Sequence, residues 1–160
     1  MAGLRIALLG GLDITGGEAS ARASLTRKAR ALVAYLALRG DRGQSREKLA
    51  ELFWGNSAEE QARANLRQAL SSIRKVLNGD GSAYLVADGD QISLAGEDID
   101  LDVAKFERLA AEATPGALKR AAALYTGDLL DGFSLKEDSF EAWARVERER
   151  LRRQASAALA

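Results

Sequence analysis

The chain has 160 residues, of which 47% are hydrophobic and 29% charged, so it can bury one large core or two small ones. It has no cysteine and no histidine, which excludes disulfides and thiolate nucleophiles, removes the usual metal ligands and disfavours an enzyme. The formal net charge is zero, with 13 basic and 11 acidic residues up to residue 97 and 10 and 12 beyond it, so bulk charge does not indicate nucleic-acid binding. No apolar run is long enough for a membrane span or a secretory signal, and we therefore expect a cytoplasmic protein with no membrane partner.

The first half of the chain mixes strand and helix signals. Short apolar runs at residues 4–9 and 12–14, each followed by paired glycines, predict two strands of a small antiparallel sheet. Apolar residues at helical spacing after Thr26 predict a first helix that ends at Gly40. Ser45 is a suitable N-cap for a second helix, which we expect to end near Trp54.

A third helix, a hairpin and an all-helical segment follow. The third helix is predicted over residues 59–77, and the hairpin pairs residues 84–87 with 91–94 around Asp88-Gly89-Asp90. Strands, three helices and a terminal hairpin are the order of a winged helix-turn-helix domain.

After Gly96 the sequence predicts helices alone: one capped by Asp102, one with Pro115 at its first position, and one from about Phe140. In this last helix we expect the apolar Trp143, Val146 and Leu151 to pack inward and the charged run 145–153 to be a solvated, salt-bridged face.

The third helix has one apolar face and one face suited to reading DNA. Arginine can bind guanine with two hydrogen bonds, glutamine can do so with adenine, and alanine or serine allows close approach. The candidates for base contacts are Ala64, Arg67, Gln68 and Ser71. Cations near this face can reach phosphates, and the candidates for phosphate contacts are Arg46, Lys48, Arg63, Arg74 and Lys75.

The chain resembles the antibiotic regulatory protein (SARP) family of bacterial activators, which joins an OmpR/PhoB-type winged helix to a helical bacterial transcriptional activation domain similar to tetratricopeptide repeats. In the first half the resemblance rests on KARALVAYLAL at 28–38, SREKLAELFW at 45–54 and ARANLRQALSSIRKVL at 62–77. In the second half it rests on DLDVAKF at 100–106, LYTGDLL at 124–130 and FEAW at 140–143. The order and spacing of these blocks carry the resemblance, and no single block is decisive.

The resemblance implies a winged-helix domain at residues 1–97 and the N-terminal part of an activation domain at 98–160. It also implies a sequence-specific activator that binds direct repeats in double-stranded DNA and uses its helical domain for self-association or contact with a partner. We expect no cofactor. The loop between the second and third helices can face RNA polymerase in such proteins, which here makes Trp54, Asn56, Glu59 and Glu60 the candidates. The acidic wing turn departs from a basic wing, and the helical part stops short of the family's usual extent, as a fragment of a longer regulator would.

Two other classes of function compete with DNA binding. The winged helix of a protein-interaction module would use its arginines to bind acidic partners. An enzyme is disfavoured because the glycine pairs lack the pattern of a phosphate-binding or dinucleotide-binding loop. Asp98, Asp100 and Asp102 begin like a calcium loop, but Val103 stands where the turn glycine belongs, so we expect no metal site.

Overall fold

The computed structural model describes residues 3–16, 25–40, 42–79 and 83–159. It confirms the predicted fold class, an α+β winged helix-turn-helix followed by a helical region. The elements in chain order are β1 (Leu4–Ala7), β2 (Asp13–Thr15), α1 (Arg27–Arg39), β3 (Gln44–Ser45), α2 (Arg46–Trp54), α3 (Glu59–Leu77), β4 (Leu85–Asp88), β5 (Gln91–Leu94), β6 (Ile99–Leu101), α4 (Asp102–Glu112), α5 (Pro115–Leu124) and α6 (Asp138–Leu159).

Side-chain caps explain where the helices of the winged domain begin. The Thr26 hydroxyl accepts a hydrogen bond from the Ala29 amide at 3.0 Å, and the Ser45 hydroxyl accepts one from the Lys48 amide at 3.1 Å. Each bond satisfies one of the amides that the first turn of a helix leaves free. Gly40 ends α1 at a φ of 65°, a conformation that glycine adopts without the steric cost of a side chain. The predicted boundaries of α1 and α2 are confirmed.

The strands form two three-stranded sheets. In the N-terminal sheet, β1 pairs antiparallel with β2 and parallel with β6, so that Ile6 lies between Ile14 and Leu101. In the wing sheet, β5 pairs antiparallel with β4 in the predicted hairpin and also with β3, which precedes α2. The expectation of helix alone after Gly96 is wrong, because the free edge of β1 recruits residues 99–101 as a third strand.

Asp102 does not cap the helix that it was expected to cap. The N-cap of α4 is Leu101, with no side-chain hydrogen bond, and Asp102 is the first residue of the helix. Its carboxylate accepts hydrogen bonds from the Leu8 amide at 2.9 and 3.0 Å and from the Leu9 amide at 2.9 Å. These two amides lie just beyond the end of β1, so the carboxylate joins α4 to the N-terminal sheet.

The connection between α5 and α6 also returns to the start of the chain. The Leu130 amide donates to the Leu8 carbonyl at 2.8 Å, and the Gly10 amide donates to the Asp128 carbonyl at 2.9 Å. The Thr126 hydroxyl donates to the Leu9 carbonyl at 2.9 Å. Residues 8–10 therefore obtain their backbone partners from the helical region.

An aromatic cluster joins α6 to the winged helix. The ring centroids of Trp143 and Tyr35 are 4.9 Å apart, and those of Phe140 and Phe53 are 5.4 Å apart. Beside the cluster, Lys28 Nζ and Glu137 Oε2 form an ion pair of 2.8 Å. Tyr35, Phe53 and Phe140 are buried and Trp143 is partly buried, so the two regions share one continuous core.

The remaining apolar residues of α6 divide between core and solvent. Leu151 is fully buried, as expected, whereas Val146 is 65% exposed and the expectation that it packs inward is wrong. On the charged side, Arg152 pairs with Asp128 at 2.6 Å and Arg150 with Glu107 at 2.8 Å. Across the described ranges, no helix is long and apolar enough to cross a membrane.

Candidate nucleic-acid interface

Helix α3 has the predicted division into a buried and an exposed face. The buried residues are Ala62, Leu66, Ala69, Leu70, Ile73, Val76 and Leu77, the same seven that the helical spacing places on the apolar side. On the opposite face Arg67, Gln68 and Ser71 are exposed, and Ala64 is partly buried. The core side of α3 holds the helix against α1 and α2 and leaves the DNA-reading candidates on the surface.

Most of the candidate phosphate contacts are cations that form no direct ion pair with a described residue. Lys48, Arg74 and Lys75 are exposed and Arg46, at the first position of α2, is partly buried. None of these four, nor Arg67, forms an ion pair within 4.0 Å of another described residue. Their charges are therefore available to an anionic ligand.

Arg63 differs from these cations because it is already paired. Its Nη2 lies 2.6 Å from Glu59 Oε1, one turn earlier on α3. Both side chains are more than half exposed, so the pair contributes little stability, typically below about 1 kcal/mol. The pair nevertheless determines where the Arg63 guanidinium lies when no ligand is bound.

Three arginines from two helices line one cleft. Arg46 of α2 and Arg63 and Arg67 of α3 border a space of about 390 Å³, together with Glu47, Leu66 and Asp90. Asp90 belongs to the turn between β4 and β5, and its carbonyl accepts a hydrogen bond from the Arg46 amide at 3.1 Å. The wing turn is therefore held against the N-terminus of α2, beside α3. We call this space the arginine cleft.

The opposite flank of α3 borders a second groove. This groove, of about 480 Å³, lies between α3 and the start of α1 and is lined by Asn65, Gln68 and Ser72 on the α3 side. The Gln61 amide group donates to Asn65 Oδ1 at 2.9 Å, a bond that orients the Asn65 side chain. The sequence does not single out Asn65 as a candidate, although the i, i+4 spacing of Gln61 and Asn65 is the signal that would have predicted this hydrogen bond.

The candidates in the loop before α3 are not equivalent. Trp54 is only 7% exposed, and Lys28 Nζ lies 5.4 Å from the centre of its ring, so the indole belongs to the core and offers a partner little surface. Asn56, Glu59 and Glu60 are exposed. A protein that docks on this loop would meet the polar residues and not the ring.

The carboxylates of the apparent calcium loop have separate protein partners. Asp98 accepts from the Tyr84 hydroxyl at 2.8 Å, Asp100 pairs with Lys105 at 2.9 Å, and Asp102 binds the backbone amides described above. Over the ranges that the structure covers, no group of three or more acidic residues is arranged to hold a metal ion.

Helices α2 and α3 and the wing turn thus meet at one surface. Residues 20–87 match the family model described as "Transcriptional regulatory protein, C terminal". The matched segment contains α1, α2 and α3 and stops within the wing hairpin. A search of curated proteins finds no match.

A solved structure extends the likeness to the helical region. The chain is similar to Mycobacterium tuberculosis EmbR, solved in complex with a low affinity phosphopeptide, with a TM-score of 0.71 and 22% sequence identity. The similarity covers 97% of this chain and 43% of that chain, so this chain spans less than half the length of that protein. The two share the fold of the winged helix together with the helices that follow it.

Proposed function

We propose that the chain is a sequence-specific DNA-binding transcription regulator that reads the major groove with α3. The observation that carries the proposal is the exposed face of α3, where Arg67 lies beside Gln68 and Ser71, lines the arginine cleft and forms no ion pair with a described residue. The match of residues 20–87 to a domain of transcriptional regulatory proteins supports it. A helix of this kind fits the width of the major groove, where each base pair presents a distinct pattern of donors and acceptors.

The side chains divide into two roles in this proposal. Arg67 and Gln68 contact base edges, while Ala64 and Ser71 allow the helix to approach closely. Phosphates are bound by Arg46, Lys48, Arg63, Arg74 and Lys75. The phosphate contacts supply affinity for any duplex and set the register of the protein, and the base contacts supply the discrimination between sequences.

The helical region and the loop before α3 have supporting roles. We place the domain boundary at residues 97 and 98, and the helices beyond it serve self-association on direct repeats. Asn56, Glu59 and Glu60 are exposed and offer a polar surface to which RNA polymerase binds. Because a regulator that recruits the polymerase increases transcription, the protein acts as an activator. The similarity to a solved structure with the same two regions supports this arrangement of the chain.

Selection of bound sequences from a random duplex pool, followed by binding measurements on Arg67→Ala, tests the proposal. Loss of a bidentate contact to guanine costs about 1–3 kcal/mol, so we expect about tenfold or greater weakening on the selected sequence. Arg108→Ala is the matched control, because Arg108 is exposed on α4 and forms no ion pair with a described residue. Circular dichroism establishes that both variants are folded.

Two results would contradict the proposal. Absence of binding to any duplex at low salt would overturn DNA binding and favour the alternative, in which the exposed arginines bind an acidic protein partner. Unchanged affinity of Arg67→Ala for the selected sequence would remove Arg67 from the reading face. In a DNA-binding protein with several phosphate contacts, affinity falls steeply as the salt concentration rises, which a titration measures directly.

A further inference from the structure

The arginine cleft is unusual because acidic residues lie on its border. Asp90 and Glu47 line the cleft beside Arg46, Arg63 and Arg67. The Glu59 carboxylate forms an ion pair with the Arg63 guanidinium, with Oε1 and Nη2 2.6 Å apart. A surface that only had to bind phosphate would gain affinity by replacing each of these acids with a neutral residue, because like charges repel. The acids therefore need an explanation other than phosphate binding.

Asp90 is held in place by the backbone around it. The Arg46 amide binds its carbonyl, and the adjacent Gln91 pairs with Ser45 in the wing sheet. The preceding Gly89 has a φ of 61°, which gives the tight turn that Asp88 and Asp90 flank. The Asp90 carboxylate thus starts from a fixed point on the border of the cleft and does not depend on a mobile loop to reach it.

Asp90 borders the same space as the three arginines, so its charge acts on a phosphate that they bind. Charges closer together than the Debye length, about 8 Å at physiological ionic strength, are only partly screened by salt. No ion pair within 4.0 Å joins Asp90 to a described arginine, so its charge is not cancelled by direct contact. A phosphate that enters the cleft meets this charge together with the arginines.

We infer that Asp90 and Glu59 are specificity-determining residues that oppose phosphate binding at the arginine cleft and so weaken binding to DNA of arbitrary sequence. Asp90 repels the phosphate directly, and Glu59 competes with it for Arg63. Because phosphate contacts supply nearly all non-specific affinity, these acids lower binding to any duplex and leave a larger share of the affinity to base contacts. The inference rests on the proposed function, since it assumes that α3 reads DNA.

The test compares Asp90→Asn and Glu59→Gln with the wild type on a duplex of mixed sequence over a range of salt concentrations. We expect Asp90→Asn to bind about three- to tenfold more tightly, the effect of removing one negative charge near one or two phosphates. For Glu59→Gln we expect tighter binding, because Arg63 is released to contact phosphate. The slope of log affinity against log salt concentration should become steeper by about one unit, the effect of one added phosphate contact. On the sequence selected from the random pool, both variants gain less, so that the ratio of specific to non-specific affinity falls.

Glu112→Gln is the matched control for the change of net charge. Glu112 is exposed at the end of α4, outside the cleft, and its replacement makes the same change of one unit. Equal affinities of Asp90→Asn and Glu112→Gln would overturn the inference for Asp90, and an unchanged salt dependence in Glu59→Gln would overturn it for Glu59. Weaker binding of Asp90→Asn would also overturn it, because Asp90 would then contact a base directly.

The failure of this inference is distinguishable from the failure of the proposed function. If the wild type binds duplex DNA and Arg67→Ala binds the selected sequence about tenfold or more weakly, the proposed function stands whatever the acidic variants do. If neither the wild type nor any variant binds a duplex at low salt, both proposals fail together.

Discussion

The two sheets of the protein have the same number of strands but are anchored by different parts of the chain. The wing sheet combines β3, β4 and β5, all within residues 44–94, and packs beside α1 and α2. The N-terminal sheet combines β1 and β2 with β6, and its strand ends are bonded to Asp102 and to residues 126–130. The wing sheet is therefore formed by residues that are close to α3 in the chain, whereas the N-terminal sheet couples the winged helix to the helical region.

A second attachment reinforces this coupling. Phe140 and Trp143 of α6 pack on Tyr35 and Phe53, beneath α1 and α2. Beside them the partly buried Lys28–Glu137 pair joins the first turn of α1 to the start of α6. With two attachments and a continuous core, we expect the helical region and the winged helix to unfold together.

The largest effect is expected from removing the aromatic ring at the junction. Phe140 is 1% exposed, and Phe140→Ala should lower the free energy of unfolding by about 3–5 kcal/mol through lost burial and the cavity that remains. Urea unfolding followed by circular dichroism and by fluorescence should still give coincident transitions. Val146→Ala, at a position 65% exposed, should change stability by less than about 0.5 kcal/mol. Two separate transitions in the wild type would show that the regions are not coupled.

A smaller effect is expected at the attachment of the N-terminal sheet. Asp102→Asn replaces one carboxylate oxygen by an amide NH2 group, which cannot accept a hydrogen bond. The backbone amide of Leu8 or Leu9 then lacks an acceptor, and the free energy of unfolding should fall by about 1–3 kcal/mol. Hydrogen exchange should show faster exchange at these two amides, with little change in the wing hairpin. Asp131→Asn serves as the control, because Asp131 is exposed in the neighbouring turn. Equal protection of Leu8 and Leu9 in the wild type and Asp102→Asn would contradict the assigned role.

The smallest effect is expected from the ion pair between Arg152 and Asp128. The Arg152 guanidinium, 2.6 Å away, lowers the pKa of the Asp128 carboxyl below its ordinary value of 3.8. A lowered folded-state pKa adds stability that is present above the unfolded value and is lost as the pH falls through the folded value. The wild type should therefore melt at a higher temperature than Asp128→Asn at neutral pH, and this difference in melting temperature should be smaller at about pH 3. A difference that does not depend on pH would contradict the contribution of this ion pair.

Local signals explain why much of the winged helix is predictable. Thr26 and Ser45 bond to amides three residues away, and Gly40 needs no distant partner to adopt a positive φ. The exposed face of α3 follows from helical period alone, because the residues on its buried side recur at a spacing of three or four. For the same reason the positions of Arg67 and Gln68 on the candidate interface could be foreseen.

Contacts between distant residues account for what could not be predicted. Residues 99–101 are too few to show a strand pattern, and they form β6 only because the edge of β1 is free to pair with them. Asp102 stands where a cap is expected, but it bonds to amides more than ninety positions earlier in the chain. Val146 has the character of a core residue, and only the placement of α6 leaves it in solvent.

The arginine cleft shows the same division between sequence and structure. Sequence alone determined that α3 presents Arg63 and Arg67 and that the wing turn is acidic, since both follow from short-range spacing and composition. Only the tertiary structure decided that these features face each other, because the pairing of β3 with β5 brings Asp90 to the first residue of α2. The β4–β5 hairpin joins neighbouring residues and is visible in the sequence, whereas the pairing of β3 with β5 spans the whole of α2 and α3 and could not be read from either strand.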